Sequence, residues 1–527
     1  MARGITVAEL RALLDKDSDG VALLDVRETA EYNLAHIAGS CSLPRRQVEF
    51  RVAGLIPWRG SPTVICDDDA VRAGLAAATL ESMGYTDVSI LSGGLNRWVT
   101  EGHGTEWGVN VPSKDFGEKV LLQQDIPELE PDELAAWFAE GKRPILLDSR
   151  TPEEHSRACI PDSRSMPGAE LGLRIWDLAQ DPDTPVVVHC AGRTRSIIGA
   201  GSLKRLGVPN VYALKNGTMG WQLAGLELET GSDRIELPPP TPEGRQRAES
   251  RTREVALAEG VGFVDAEAAR RLLESSISQN VYAFDVRSRE EYTSGHIPGF
   301  AWVPGGQAVQ ATDNYVAVRA GTLLFTCDGF VRAAMTAAWF RQMGFPNVYV
   351  LDGGTEAWLS AGSDLLSGPP VEAPAGLAES RRRVELLTPY ELCDRVESGL
   401  TAILHVGTSD EYSTAHVPGS RWLSRSWLEP RIADHAPSQA DAVAITCSDG
   451  VNATLAAATL LDLGYAKVSA LIGGLDAWTR AGLPVETGLS GVADPPNDVL
   501  PVRRSYAEML NYLRWEEALG EKYVHGV

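Results

Sequence analysis

The sequence predicts an α/β protein built from four tandem copies of one domain, each a doubly wound parallel sheet flanked by helices. Three observations predict it. Four segments open alike: LLDVRETAEYNLAHIAGS from Leu23, LLDSRTPEEHSRACIPDS from Leu146, AFDVRSREEYTSGHIPGF from Ala283 and ILHVGTSDEYSTAHVPGS from Ile403. Four segments close alike: LSGGLNRW, LKNGTMGW, LDGGTEAW and LIGGLDAW, ending on Trp98, Trp221, Trp358 and Trp478. From the opening anchor (Asp25, Asp148, Asp285 or His405) to that tryptophan the distance is 73 residues in every copy. The copies start 123, 137 and 120 residues apart. A solenoid repeat is roughly 20–50 residues long, so these are whole domains.

The first copy shows how each element is read. VAELRALL has helical spacing. VALLDV is a buried strand, PTVIC a second strand, VRAGLAAATLESMG an alanine-rich helix and VSIL a third strand; a further helix follows Gly93 and Gly94. Short Val/Ile/Leu runs between helical patterns argue for parallel strands covered on both faces. The predicted domains are residues 1–110, 111–236, 237–370 (linker included) and 371–490, with a tail over 491–527. Proline-rich stretches mark the linkers: PPPTP from Pro238, SGPPVEAPAG from Ser367 and GVADPPNDVLP from Gly491. The longer gap between copies two and three predicts that copy one pairs with two and copy three with four.

A length of 527 residues gives three to four domains at roughly 150 residues each. Hydrophobic residues make up 44%, and the formal charge is −23. That charge argues against nucleic acid and anionic membrane surfaces as partners. No run of 18 apolar residues exists to span a membrane, and the N-terminal stretch lacks the pattern of a signal peptide. The seven cysteines show neither CxxC nor zinc-ligand spacing. The expectation is a cytoplasmic protein with free thiols and no metal or cofactor.

Chemistry is expected at one loop. Forty-two residues after each opening anchor a strand ends and a helix begins, with DDDAVR at Asp67, CAGRTR at Cys190, CDGFVR at Cys327 and CSDGVN at Cys447. The register places Cys66 one residue early, level with His189, Thr326 and Thr446 at the strand end. Backbone N–H groups in such a loop converge on an anion, and the helix N-terminus adds positive partial charge. Both favour a thiolate, which is the nucleophile.

These motifs resemble the rhodanese family of sulfurtransferases. The likeness covers the DVR/EY/H-I-P-G opening, the six-residue loop and the closing GG-x-x-x-W, and it repeats four times. It implies four rhodanese-like domains, as in the four-domain thiosulfate sulfurtransferase-like proteins of bacteria. It implies catalysis by Cys190, Cys327 and Cys447 through a persulfide. Thiosulfate is then the donor; cyanide, a small thiol or a protein thiol is the acceptor. Gly192, Arg193, Thr194, Arg195, Gly329 and Arg332 are the expected substrate-binding residues.

Two copies depart from the pattern. Asp67, followed by Arg72, stands where a cysteine should be, so the first site is expected to be degenerate and inactive. The fourth copy has His405 and Gly407 where the others have an Asp–Arg pair (Asp25/Arg27, Asp148/Arg150, Asp285/Arg287), read as a structural ion pair; its loss puts the integrity of that copy in question. Loop charge ranks the cysteines. CAGRTR carries two arginines and no acid, CDGFVR balances Asp328 with Arg332, and CSDGVN carries Asp449 alone. Because thiosulfate is a dianion, the expected order is Cys190, then Cys327, then Cys447.

The remaining candidates read as structure. Cys41, Cys66 and Cys393 are packing residues. Cys159, in the column of His36, His296 and His416, is read as packing, with a resolving thiol as the alternative. His189 is expected to have a core or hydrogen-bonding role, because neighbours on a strand point to opposite faces. The four tryptophans pack the domains, and the Gly pairs serve turn geometry. The tail helix, with Tyr506, Met509, Leu510 and Leu513 at helical spacing, is expected to dock on its own chain. Three alternatives stand beside thiosulfate transfer: 3-mercaptopyruvate as donor, a persulfide-carrying or binding array without turnover, and phosphatase chemistry. The last needs Cys-x5-Arg, and Cys190 to Arg195 is one residue short. A homo-oligomer is left open.

Overall fold

The computed structural model describes residues 2–370, 373–493, 495–500 and 505–524. It contains four sheets of five parallel strands, each in the order first–fifth–fourth–second–third along its domain. The fourth strand is therefore the centre of each sheet, and the loop that follows it leaves the middle of the carboxyl edge, where open α/β sheets bind ligands.

Residues alternate between two buried faces. In the strand Ala442–Thr446, Val443 and Ile445 enter one apolar cluster and Ala444 the other, which contains Trp478. The predicted register holds at the strand ends. Asp25 pairs with Cys66, Asp148 with His189, Asp285 with Thr326 and His405 with Thr446.

The predicted pairing of copies does not hold. The chain forms two compact units, one of residues 1–109 with 371–501 and the other of residues 110–370 with 502–527. Copy one thus packs with copy four, and copy two with copy three. The long spacer is not a divide, because it carries the helix Pro242–Ala258, whose Ala248, Val255 and Ala256 enter a core shared by copies two and three. Two of the proline-rich linkers, at Ser367 and Gly491, lie where the chain passes between units.

Within the first unit, Glu28 of copy one accepts hydrogen bonds from Ser424 of copy four (2.5 Å) and from Arg46 (3.1 Å). Arg425 donates to Glu49 (2.6 Å), and Arg45 to Glu429 (2.9 Å). Within the second unit, Arg332 donates to Glu170 (2.7 Å) and Trp339 to Ser202 (2.9 Å).

The Asp–Arg pairs are structural. Arg287 donates from Nε and Nη2 to Asp285 (2.9 and 2.6 Å), and Nη2 also reaches the Gly295 carbonyl (2.6 Å), which ties the end of the next helix to the strand. Arg27 and Arg150 make the same clamp with Ala35 and Ala158. Removing one partner strands a buried charge at a cost of about 3–5 kcal/mol. Arg287→Ala is therefore expected to lower the urea midpoint of the second unit, followed by tryptophan fluorescence.

Copy four keeps its fold without the clamp. His405 is buried with Nε2 unpartnered, and burial pushes it down to about 4, so it sits there as a neutral imidazole. Its strand still pairs on both sides. The Trp422 indole N–H donates to the Gly407 carbonyl (3.0 Å), as Trp302 does to Arg287 (2.9 Å).

Candidate active site

In copy one the loop after the central strand is a cradle of backbone amides that holds a carboxylate. The Asp67 carboxylate accepts the N–H groups of Ala70 (2.5 Å), Arg72 (2.7 Å) and Ala73 (3.2 Å). Burial pushes this carboxyl up and the amides pull it back. In copy four the Cys447 Sγ takes the same place, accepting Gly450 N–H (3.2 Å) and Ala453 N–H (3.3 Å). Ala70 and Gly450 are both left-handed, at φ +79° and +85°, which turns the third amide toward the anion. The corresponding Arg193 and Phe330 have φ −117° and −139°, so the loops of copies two and three close differently. Burial pushes the Cys327 and Cys447 thiols up to about 12; amides of Gly329 and Ala333, or of Ala453 and Gly450, oppose it. Cys190 is 2% exposed, with Sγ 3.6 Å from the Ser196 hydroxyl.

The closing motif explains the loop's position. Gly217, Gly354 and Gly474 have φ +51°, +54° and +57°. A Cβ on any of them would lie 2.1–2.4 Å from the carbonyl oxygen of Cys190, Cys327 or Cys447. The next residue donates its N–H to that same oxygen: Thr218 at 2.8 Å, Thr355 at 3.0 Å and Leu475 at 2.9 Å. The tryptophans are buried and donate to carbonyls further on, Trp478 to Pro484 at 2.8 Å.

The arginines are engaged elsewhere, which changes the loop-charge argument. Arg195 makes a two-pronged pair with Glu154 (2.7 and 2.9 Å), and Arg72 does so with Glu31 (2.7 and 2.9 Å). Arg332 binds Glu291, Asp328 and Glu170, each at 2.7 Å. Arg193 is buried among Glu118 (2.6 Å), Glu517 (3.1 Å) and Glu128 (3.3 Å). Burial pushes Glu118 up to about 7 against the pull of Arg193. The sequence count of positive charge at CAGRTR leaves out these carboxylates, which outnumber the two guanidinium groups. Thr194 donates to Glu516 (2.7 Å), and Gly192 lies beneath Met219, Glu516 and Tyr512. Gly329 faces Arg245 and Glu249, and Arg245 pairs with Asp328 (3.0 Å). In the copy-four loop Asp449 is exposed and Ser448 half-buried; Asn452 replaces the arginine.

Copy two carries a cluster that was only half visible in the sequence. The other copies stack tyrosine on histidine (Tyr32–His36, Tyr292–His296, Tyr412–His416, centroids 3.7–3.9 Å apart). The same columns in copy two hold His155 and Cys159. His155 Nδ1 lies 3.0 Å from Asp148, and Nε2 lies 3.2 Å from Ser232 Oγ. Against burial, Asp148 raises His155 to about 9, and His155 in turn lowers the Cys159 thiol. His189 is buried with no hydrogen bond at either ring nitrogen, Nε2 lying 3.9 Å from Asp148, and burial pushes it down to about 4. Cys66 is buried at its strand end, and burial pushes its thiol far up. All seven cysteines are free thiols. The described residues contain no cluster suited to a metal and no helix long and apolar enough to cross a membrane.

Four parallel sheets, each with a cysteine or its carboxylate replacement opening the loop after the central strand, define a multidomain protein of the sulfurtransferase type. The chain belongs to the rhodanese family: the Rhodanese-like domain model matches residues 6–101, 130–224, 265–361 and 388–481. A crystal structure of thiosulfate sulfurtransferase from Pseudomonas aeruginosa superposes with a TM-score of 0.88 at 38% identity, covering 99% of this chain and 97% of that one. The 3-mercaptopyruvate sulfurtransferase of Escherichia coli is 26% identical over 262 residues, 47% of this chain and 88% of that protein. A sulfurtransferase of Allochromatium vinosum is 28% identical over 103 residues, 20% of this chain and 94% of that protein.

Proposed function

We propose that this protein transfers sulfane sulfur from thiosulfate to cyanide or a thiol through persulfides on its loop cysteines. Cys447, 2% exposed and with the Asp449 carboxylate 3.6 Å from its Sγ, is the proposed loading position. The observation that carries this is the Cys447 Sγ held by two backbone N–H groups in the cradle that holds a carboxylate in copy one. The Cys447 thiolate attacks the outer sulfur of thiosulfate. The bond between that sulfur and the sulfonate breaks, and sulfite leaves with the electron pair. The acceptor thiolate then attacks the outer sulfur of the persulfide, and the Cys447 thiolate departs. The amides of Gly450 and Ala453 stabilise the anion at each stage. Cys190 and Cys327 sit in loops of the same register and are proposed as further sulfur-carrying sites.

The cradle cannot by itself choose thiosulfate. The Cys447 loop has no arginine, and the Escherichia coli relative named above is a 3-mercaptopyruvate sulfurtransferase. The test is to incubate the reduced protein with either donor and map the modified peptides by mass. Sulfur at Cys447 from thiosulfate, absent in Cys447→Ser, supports the reading. Loading from 3-mercaptopyruvate alone replaces the donor, and no loading from either makes the chain a binding array.

A pH dependence follows from the burial of Cys447. A thiol raised to about 12 ionises only as pH climbs. Alkylation of Cys447 by iodoacetamide is expected to rise about tenfold per pH unit between 7 and 9, without a plateau. A plateau below pH 9 would show a thiolate already formed.

A further inference from the structure

The tail lies outside the repeat, yet it covers one of the repeat's sites. Its helix Tyr506–Ala518 buries Met509, Tyr512, Leu513 and Glu516 against copy two. Three fixings hold it there. The Lys114 ammonium lies over the Tyr512 and Trp515 rings (5.4 and 5.1 Å to their centroids). Asp115 accepts from Lys522 (2.7 Å) and Tyr523 (2.8 Å). Glu517 accepts from Arg193 (3.1 Å).

Glu516 is the residue this docking places at the loop. It is 1% exposed. Its Oε1 accepts from the Thr194 hydroxyl at 2.7 Å, and its Oε2 has no hydrogen-bond partner. That free oxygen lies 3.4 Å from where a Cβ on Gly192 would be, two residues after Cys190. The loop guanidinium groups are already bound by Glu118, Glu128, Glu154 and Glu517. A buried carboxylate oxygen without a donor is costly, and it repels a further negative charge strongly in so dry a place.

We propose that Glu516 is a specificity-determining residue. Carried on the C-terminal helix, it keeps anionic reagents from Cys190 and reserves that cysteine for sulfur donors and acceptors that arrive uncharged or with a proton to donate. Thiosulfate then loads the Cys447 cradle, and Cys190 exchanges sulfur with a different class of partner. This rests on the sulfur-transfer reading above.

The test uses the full chain and two alkylating reagents of similar size, anionic iodoacetate and neutral iodoacetamide, with free cysteine as reference. In the wild type, Cys190 is expected to discriminate against iodoacetate about tenfold more than free cysteine does. Glu516→Gln keeps the side chain's shape and should abolish most of that excess. The iodoacetamide rate should change less than about threefold, and the discrimination at Cys447 should not change at all. An unchanged ratio at Cys190 in Glu516→Gln overturns the proposal. So does equal acceleration by both reagents, which would make the helix a purely steric cover, and so does failure of both to reach Cys190. Thiosulfate supplies a second readout, with sulfur at Cys447 in both proteins and at Cys190 only in Glu516→Gln. If thiosulfate loads no cysteine at all, the donor reading fails, while the alkylation ratio still decides the role of Glu516.

Discussion

Gly474→Ala is expected to silence Cys447 without altering any side chain near it. The new Cβ would lie 2.4 Å from the Cys447 carbonyl oxygen and 2.5 Å from the Gly450 nitrogen, both backbone atoms with nowhere to go. Either the closing helix moves away, losing the 2.9 Å bond from Leu475 N–H to Cys447, or the cradle itself distorts. Alanine at φ +57° adds left-handed strain of about 1–2 kcal/mol. Overpacking adds about 1–3 kcal/mol more. Persulfide formation at Cys447 should fall at least about a hundredfold, since a shift near 1 Å in a positioned group has that effect. Gly482→Ala separates strain from collision, because Gly482 has φ +72° and nothing within 4 Å of its Cβ position. It should lose about 1–2 kcal/mol in urea denaturation and keep its persulfide rate. Equal rates for the two variants would show that the glycine does not hold the loop.

The repeat made most of this architecture legible. A fixed 73-residue interval carries register, so the strand-end position of Cys66 and the exchange of Asp67 for cysteine followed from counting. Charge at the loops did not follow. Arg193 and Arg195 are cationic in the sequence, but their carboxylates come from Glu118, Glu128, Glu154 and Glu517, scattered along the chain and gathered only by folding. The pairing of copies was hidden for a similar reason. A long spacer reads as a gap, whereas here its middle is a helix with Ala248, Val255 and Ala256 facing a shared core. The tail helix was legible as amphipathic and docks on its own chain. Its buried face is Met509, Tyr512, Leu513 and Glu516, while Tyr506 is 57% and Leu510 38% exposed. Periodicity counts apolar residues, and it has no means of placing a buried glutamate on that face.

Asp67→Cys is expected to restore a sulfur-accepting site in copy one. The substitution is small because the cradle is already built. Asp67 accepts three amide N–H groups, and Ala70 holds the left-handed turn that Gly450 holds around Cys447. Access is similar, since Asp69 and Val71 are exposed as Asp449 is. The nearby charges are balanced, with Asp68 bound by Arg27 (3.1 Å) and Arg72 (2.9 Å). Burial pushes the Asp67 carboxyl up, so an uncharged thiol in its place relieves desolvation while giving up amide bonds. These opposing effects should leave stability within about 1 kcal/mol of the wild type. After incubation with thiosulfate the variant should carry one sulfur more than the parent, mapped to residue 67, and Asp67→Ser should carry none there. If Asp67→Cys folds and stays unmodified while Cys447 is loaded, the amide cradle alone is insufficient. Activation would then depend on what copy four has and copy one lacks in the same columns: Asn452 in place of Arg72, and a Glu411 that no loop arginine binds.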